Sequence, residues 1–121
     1  MAAPNLVNVT SIYGKTFGAS LGNSNTNMII CASNKVYKVN SIIISNVDGT
    51  NAFDATVVFF DGGGTANYHI AKLITVPAKS TLVVLGKDTP IYLEEDDKIT
   101  AYASATGDGQ IIISYEEMDD A

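Results

Sequence analysis

The sequence predicts an all-β fold, an antiparallel β-sandwich of jelly-roll or immunoglobulin-like type with eight or nine short strands. Three observations predict it. Ile, Val and Thr together supply 34 of 121 residues, and a branched Cβ suits a pleated surface while slightly penalising helix. No window of eleven or more residues carries a sustained i, i+3, i+4, i+7 apolar stripe, whereas short period-two runs recur between turn-forming clusters. Those runs follow one another at roughly regular intervals along the whole chain, which is the pattern of a sandwich or barrel.

The predicted strands are, in order, Leu6 to Lys15, Asn27 to Ala32, Val36 to Val47, Ala55 to Asp61, Tyr68 to Val76, Thr81 to Leu85, Pro90 to Leu93, Lys98 to Ser104 and Gln110 to Glu117. Their separators carry turn chemistry: Asp48-Gly49 and Asp108-Gly109 tolerate positive φ, Gly62-Gly63-Gly64 reads as a flexible hairpin tip, and Pro77 removes a ladder donor. Alternation assigns an inner face to the last two strands. Ile99, Ala101 and Ala103 face in against Lys98, Thr100 and Tyr102, and Ile111, Ile113 and Tyr115 face in against Ile112, Ser114 and Glu116. Small alanines opposite larger residues let two sheets approach to about 10 Å, which favours a sandwich over an open-bore barrel.

At 121 residues the expected organisation is one domain, with residues 1–5 a candidate extended N-terminal arm. There is no linker-like tract, internal repeat or low-complexity segment. Hydrophobic residues make up 46% and charged residues 17%, the composition of a chain that folds. Seven lysines, no arginine and thirteen acids give a net charge of -6, so neither nucleic-acid phosphates nor an anionic membrane surface is an expected partner. The start, MAAPNLVNVT, has no positive n-region and no apolar run of seven residues, so no secretory signal is expected. Apolar runs such as Met28 to Ala32 fall far short of the roughly 18 to 20 residues of a membrane-spanning helix. The one cysteine, Cys31, lies within that run and reads as a buried small hydrophobe.

Candidate chemistry is sparse. His69, the one histidine, lies mid-strand without a nearby serine elbow or cysteine, so it is expected at a surface or interface rather than in catalysis. Asp61 to Thr65 lacks the Gly-Lys-Ser/Thr and following helix of a phosphate loop. The oxygen-rich run Asn46 to Asp54 puts glycine at the fourth position, not the sixth, and Val57 at the twelfth, so hairpin chemistry explains it better than calcium. Glu94, Glu95, Asp96 and Asp97 place four carboxylates in one turn, where mutual repulsion favours a divalent cation or, as the preferred reading, a solvated bend. Glycosidase chemistry needs a cleft lined with aromatics, whereas the six tyrosines are scattered and there is no tryptophan. The tail Glu116 to Asp120 reads as a solvated acidic end. No catalytic residue, cofactor or metal is expected.

From Val36 the order of pieces is distinctive: VYKVNSIIISNVDGTNAFDATVVFFDGGGTANYHIAKLITVPAKSTLVVL, then IYLEEDDKITAYASATGDGQIIISYEEM. This resembles a group of small virion proteins of tailed bacteriophages of marine and cyanobacterial type. The shared outline is an Ile/Val-rich strand ending in Ser-Asn, a strand with a Gly-rich hairpin, a Val-Pro-Ala-x-Ser-Thr-Leu turn, an Ile-Tyr-Leu-Glu-x-Gly-Asp-x-Ile bend and a closing Ser-Tyr-Glu-Glu. It covers 78 of 121 residues, with a similar opening at Thr10 to Lys15. Asp96 stands where the outline has glycine, so the bend must either place Asp96 at positive φ or change its turn type.

The resemblance implies a non-enzymatic structural part of the particle, made in the host cytoplasm and placed in the virion, most simply on the capsid surface as a decoration or cement protein. It implies the major capsid protein or other virion proteins as partners, and a homo-oligomer, with a trimer first. Ile112, Tyr68 and His69 are the candidate interface residues. Two other expectations are a neck or tail component and a carbohydrate- or cell-surface-binding module using Tyr68, His69 and the Gly62 to Gly64 loop.

Overall fold

The computed structural model describes residues 11–119; the candidate arm, and the Leu6 to Thr10 half of the first predicted strand, lie outside them. Nine strands follow: β1 (Ile12–Ser20), β2 (Thr26–Ile30), β3 (Lys35–Asn46), β4 (Phe53–Asp61), β5 (Ala66–Val76), β6 (Thr81–Leu85), β7 (Ile91–Leu93), β8 (Lys98–Ala103) and β9 (Gly109–Asp119). Eight of the nine lie within a few residues of their predicted bounds. The first does not: β1 runs on to Ser20, five residues past the predicted end at Lys15, paired with β9 from Ile12↔Met118 to Ser20↔Gln110. Gly14 and Gly18 interrupt the apolar alternation there, so the strand is specified by its partner rather than by its own period.

The strands form two antiparallel sheets, β1-β9-β3-β6, with β7 also on β3, and β2-β8-β4-β5. This is the order in which eight strands wind as two Greek keys into a jelly roll, which decides between the two expected sandwich types. Short β7 and β6 share one side of β3, at Tyr37 to Val39 and Ile42 to Ser45. On the last two strands the inward residues are those that alternation picks out, and β3 joins them. Ile42 and Ile44 of β3, Ile111 and Ile113 of β9, and Ile99, Ala101 and Ala103 of β8 have no exposed surface, and Tyr115 is half-buried against the same core. Ala55, Ala101 and Ala103 keep the sheets close, while Leu21, Cys31, Phe53, Val76 and Leu93 fill the remaining space.

Three local expectations are corrected. Among the described glycines positive φ falls at Gly107, and neither the Asp48-Gly49 nor the Asp108-Gly109 pair adopts it. The Asp48 turn is held instead by side chains, with Asn46 Oδ1 accepting from the Asp48 N–H and Asp48 Oδ1 from the Thr50 N–H. Gly109 is needed for packing, since a Cβ there would lie 2.6 Å from Cζ of the buried Phe53 ring. Thr100, expected to face out, is buried because it stands mid-sheet between Asn27 of β2 and Val58 of β4.

Asn46 closes one end of the sandwich. Its buried amide donates to the Asn51 and Val76 carbonyls, tying the β3–β4 connection to the end of β5. We expect Gly109→Ala to lower stability by about 1–3 kcal/mol through overpacking against Phe53, read by chemical denaturation. Gly14→Ala, with nothing within 4 Å of its Cβ, should not lower it.

Candidate functional site

The opposite end of the sandwich gathers the polar chemistry. Three connections meet there: β2–β3, the β4–β5 hairpin and the β7–β8 bend. The Asp97 carboxylate, 6% exposed, accepts from the Gly62 N–H through Oδ1 and from the Glu94 N–H through Oδ2, each at 2.9 Å. The backbone continues the join, with the Cys31 N–H donating to the Asp97 carbonyl and the Asp96 N–H to the Cys31 carbonyl. Asp96 takes the first of its two options, φ +70. Gly62 packs so tightly on it that a Cβ at position 62 would collide with the Asp96 carbonyl.

The Gly62 to Gly64 tip is therefore not a free hairpin, as expected from its glycines alone. It is pinned by Asp97 from one side and by Asp61 Oδ1, which accepts from the Gly63 and Gly64 N–H groups. Of the four clustered carboxylates, Asp97 is engaged by backbone donors and Glu95 accepts from the Asn34 N–H. No group of three or more His, Cys, Asp or Glu among the described residues has the geometry to hold a metal ion.

Between this hairpin and bend lies a cleft of about 420 Å³, lined by Phe59, Asp61, Gly62, Gly63, Tyr92 and Glu94 to Asp97. A second cavity of about 300 Å³, lined by Phe59, Tyr68, His69, Ile70, Ile91 and Tyr92, shares Phe59 and Tyr92 with it. The two adjoin at these shared rings, the first acidic and the second apolar, and together make a groove walled by β4, β5, β7 and the bend after it. Tyr68 stacks on Phe59 at 6.3 Å between ring centroids. The tyrosines are thus less scattered than they look in sequence: Tyr68 and Tyr92 line one groove, and Tyr37 packs on Tyr115 at 5.0 Å.

Tyr68, His69, the glycine tip and the four carboxylates are brought together here, whereas Ile112 stands elsewhere, 39% exposed on the outer face of the five-stranded sheet. Nothing in the sequence reading marks Phe59, Ile70, Ile91 or Tyr92 as groove residues. Counting back from the hairpin tip, Asp61↔Ala66 to Phe59↔Tyr68, would find Phe59; the contribution of β7 has no local signal.

The acidic tail is also corrected as far as Asp119; Asp120 lies outside the described residues. Because β9 runs to Asp119 between β1 and β3, Glu117 is buried rather than solvated, and it pairs with Lys15 of β1 at 3.1 Å and Lys35 of β3 at 3.2 Å. Lys35 also pairs with Asp119. Burial alone would raise the Glu117 carboxyl, but hydrogen bonds from Lys15 and Lys35 outweigh it and hold it below its ordinary 4.5. The Lys35 hydrogen bond likewise holds Asp119 below 3.8. Cys31 is buried as expected: its thiol donates to the Lys35 carbonyl at 3.2 Å, and burial pushes its pKa up to about 12 against the opposing pull of the Tyr37 backbone.

The chain matches no protein-family model and no curated protein. Among solved structures it is similar to that of the disulfide-linked pili of Bacillus endospore appendages, at 15% identity over 92% of this chain and 88% of that one, with a TM-score of 0.56. At that identity the likeness shows the fold alone. A pentameric capsid protein isolated from metagenomic phage sequences (13% identity, 95% of this chain and 64% of that one, TM-score 0.40) and VP2 of the infectious bursal disease virus subviral particle (14%, 92% and 37%, 0.35) are more distant.

Asp97→Asn turns an amide N–H₂ towards one of two backbone donors and should cost about 2–3 kcal/mol in denaturant unfolding. Glu95→Gln, which keeps an oxygen for the Asn34 N–H, is the matching control and should cost little. Glu117 and Asp119 have folded pKa values below their unfolded ones, so the stability they contribute is complete above about pH 4.5 and declines as pH falls through the folded values. Glu117→Gln should therefore flatten the acid limb of a stability–pH profile.

Proposed function

We propose that the chain is a non-enzymatic structural part of a tailed-phage virion, a capsid decoration or cement protein that stabilises the head by bridging major-capsid subunits as a homotrimer. The observation that carries this reading is the jelly-roll strand order, an architecture that viral capsid domains use, in a chain that follows the outline of phage virion proteins from Val36 to Leu85 and from Ile91 to Met118. Because one fold hosts many functions, the surface must also suit the task. Here it does: Ile12 and Tyr13 on β1, Leu73 and Ile74 on β5, and Val83 on β6 are large apolar side chains left exposed on outer strands, where contact with neighbouring subunits would cover them.

A disulfide-linked assembly of the kind named for the Bacillus pili does not suit this chain. Its one cysteine is buried, and a thiol with a pKa near 12 is almost wholly protonated and unreactive at neutral pH.

Quantitative mass spectrometry of purified particles tests the proposal. Hundreds of copies per particle, with loss of heat resistance in heads that lack the protein, is the expected result. About six to eighteen copies, set by the symmetry of the tail axis, would move it to the neck or tail. Absence from the particle would overturn the virion reading altogether.

A further inference from the structure

We propose that the groove between the β4–β5 hairpin and the β7–β8 bend is a docking site for an extended protein segment that carries lysine or arginine beside an apolar side chain. Its apolar end, walled by Phe59, Tyr68, Ile70 and Ile91, lies open to solvent, with Tyr68 58% exposed. Its other end is acidic. The ion pairs among the described residues join Lys15 and Lys35 to Glu117 and Asp119, so none reaches Asp61, Glu94, Glu95, Asp96 or Asp97. Asp61, Glu95 and Asp97 are engaged by backbone N–H groups, which leaves Glu94 and Asp96 as the rim carboxylates that a cationic side chain complements, and the tyrosines beside them offer π faces to the same charge.

The neighbouring strand fits an extended segment. β5 is the outer strand of its sheet, and its ladder with β4 is irregular between Ala55 and Val58, while Ala66 to His69, beside the groove, stays in regular register with Val58 to Asp61. A segment added along that stretch would make main-chain hydrogen bonds while alternate side chains enter the groove. A second copy of this chain is a poorer occupant, since its charge of -6 opposes an acidic rim. A neutral glycan would stack on the same rings but leave the carboxylates uncompensated.

The inference rests on the reading of the chain as a component that docks on other proteins. Its test is an amide-shift NMR titration of the full chain with the peptide acetyl-Val-Lys-Phe-Lys-Val-amide, its Glu-for-Lys counterpart, and cellohexaose. The lysine peptide should shift Gly62, Gly63, Tyr68 and Asp96, and its affinity should fall at least about fivefold when salt is raised from roughly 0.05 to 0.5 M. The double variant Glu94→Gln/Asp96→Asn should lose a similar factor while its remaining spectrum stays folded; asparagine tolerates the positive φ at position 96, and Asp97 is untouched. No shift with the lysine peptide, equal shifts with the glutamate peptide, or shifts with cellohexaose alone would overturn the proposal, the last in favour of a glycan site. Absence of the chain from particles would remove the virion reading and leave lysine-peptide binding standing; a failed titration with the chain present in particles would remove this inference alone.

Discussion

A carboxylate without a cation organises one end of this sandwich. Asp97 is buried, and its two oxygens accept from two backbone N–H groups that the winding of the chain would otherwise leave without partners, one on the β4–β5 hairpin and one on the β7–β8 bend. Both donors are partly buried, and the more a donor is withdrawn from water the more it costs to leave it without an acceptor. Because Asp97 answers both, the hairpin and the bend are fixed against each other, Gly62 lies on the Asp96 backbone, and a groove opens between them. Asn46 serves the other end in the same way with an amide, which both donates and accepts.

Strand β9 gives the five-stranded sheet its second constraint. It lies between β1 and β3 over nearly its whole length, so its charged end is enclosed by the lysines of its two neighbours instead of standing in water. The same central position puts Ile112 on an open sheet face, whereas Tyr68 and His69 belong to an outer strand beside the groove. The candidate contact residues thus occupy two separate surfaces.

Much of the fold is legible in the sequence because it is written in period-two alternation. The buried sets Ile99, Ala101, Ala103 and Ile111, Ile113 follow from it directly, as does burial of Cys31 within its apolar run. What is illegible has identifiable causes. The extension of β1 through Gly14 and Gly18 has no alternation to show, burial of Thr100 depends on its neighbours in the middle of a sheet, and Glu117 looks like a solvated acid until two lysines far away in sequence are placed beside it. The carboxylate run Glu94 to Asp97 stands out in the sequence, but its use does not, since hydrogen-bond acceptance by Asp97 depends on a hairpin 35 residues away.

Composition and alternation act residue by residue, and they suffice to specify an all-β sandwich, the approximate bounds of eight of its nine strands, the inner faces of the last two and a surface without arginine. The jelly-roll order, the pinning of the glycine hairpin, and the meeting of Phe59, Tyr68 and Tyr92 with the acidic bend emerge only when the chain is wound in three dimensions. These depend on contacts between distant segments: a buried N–H must find an acceptor, and which one it finds is settled by how the strands wind, not by any local pattern.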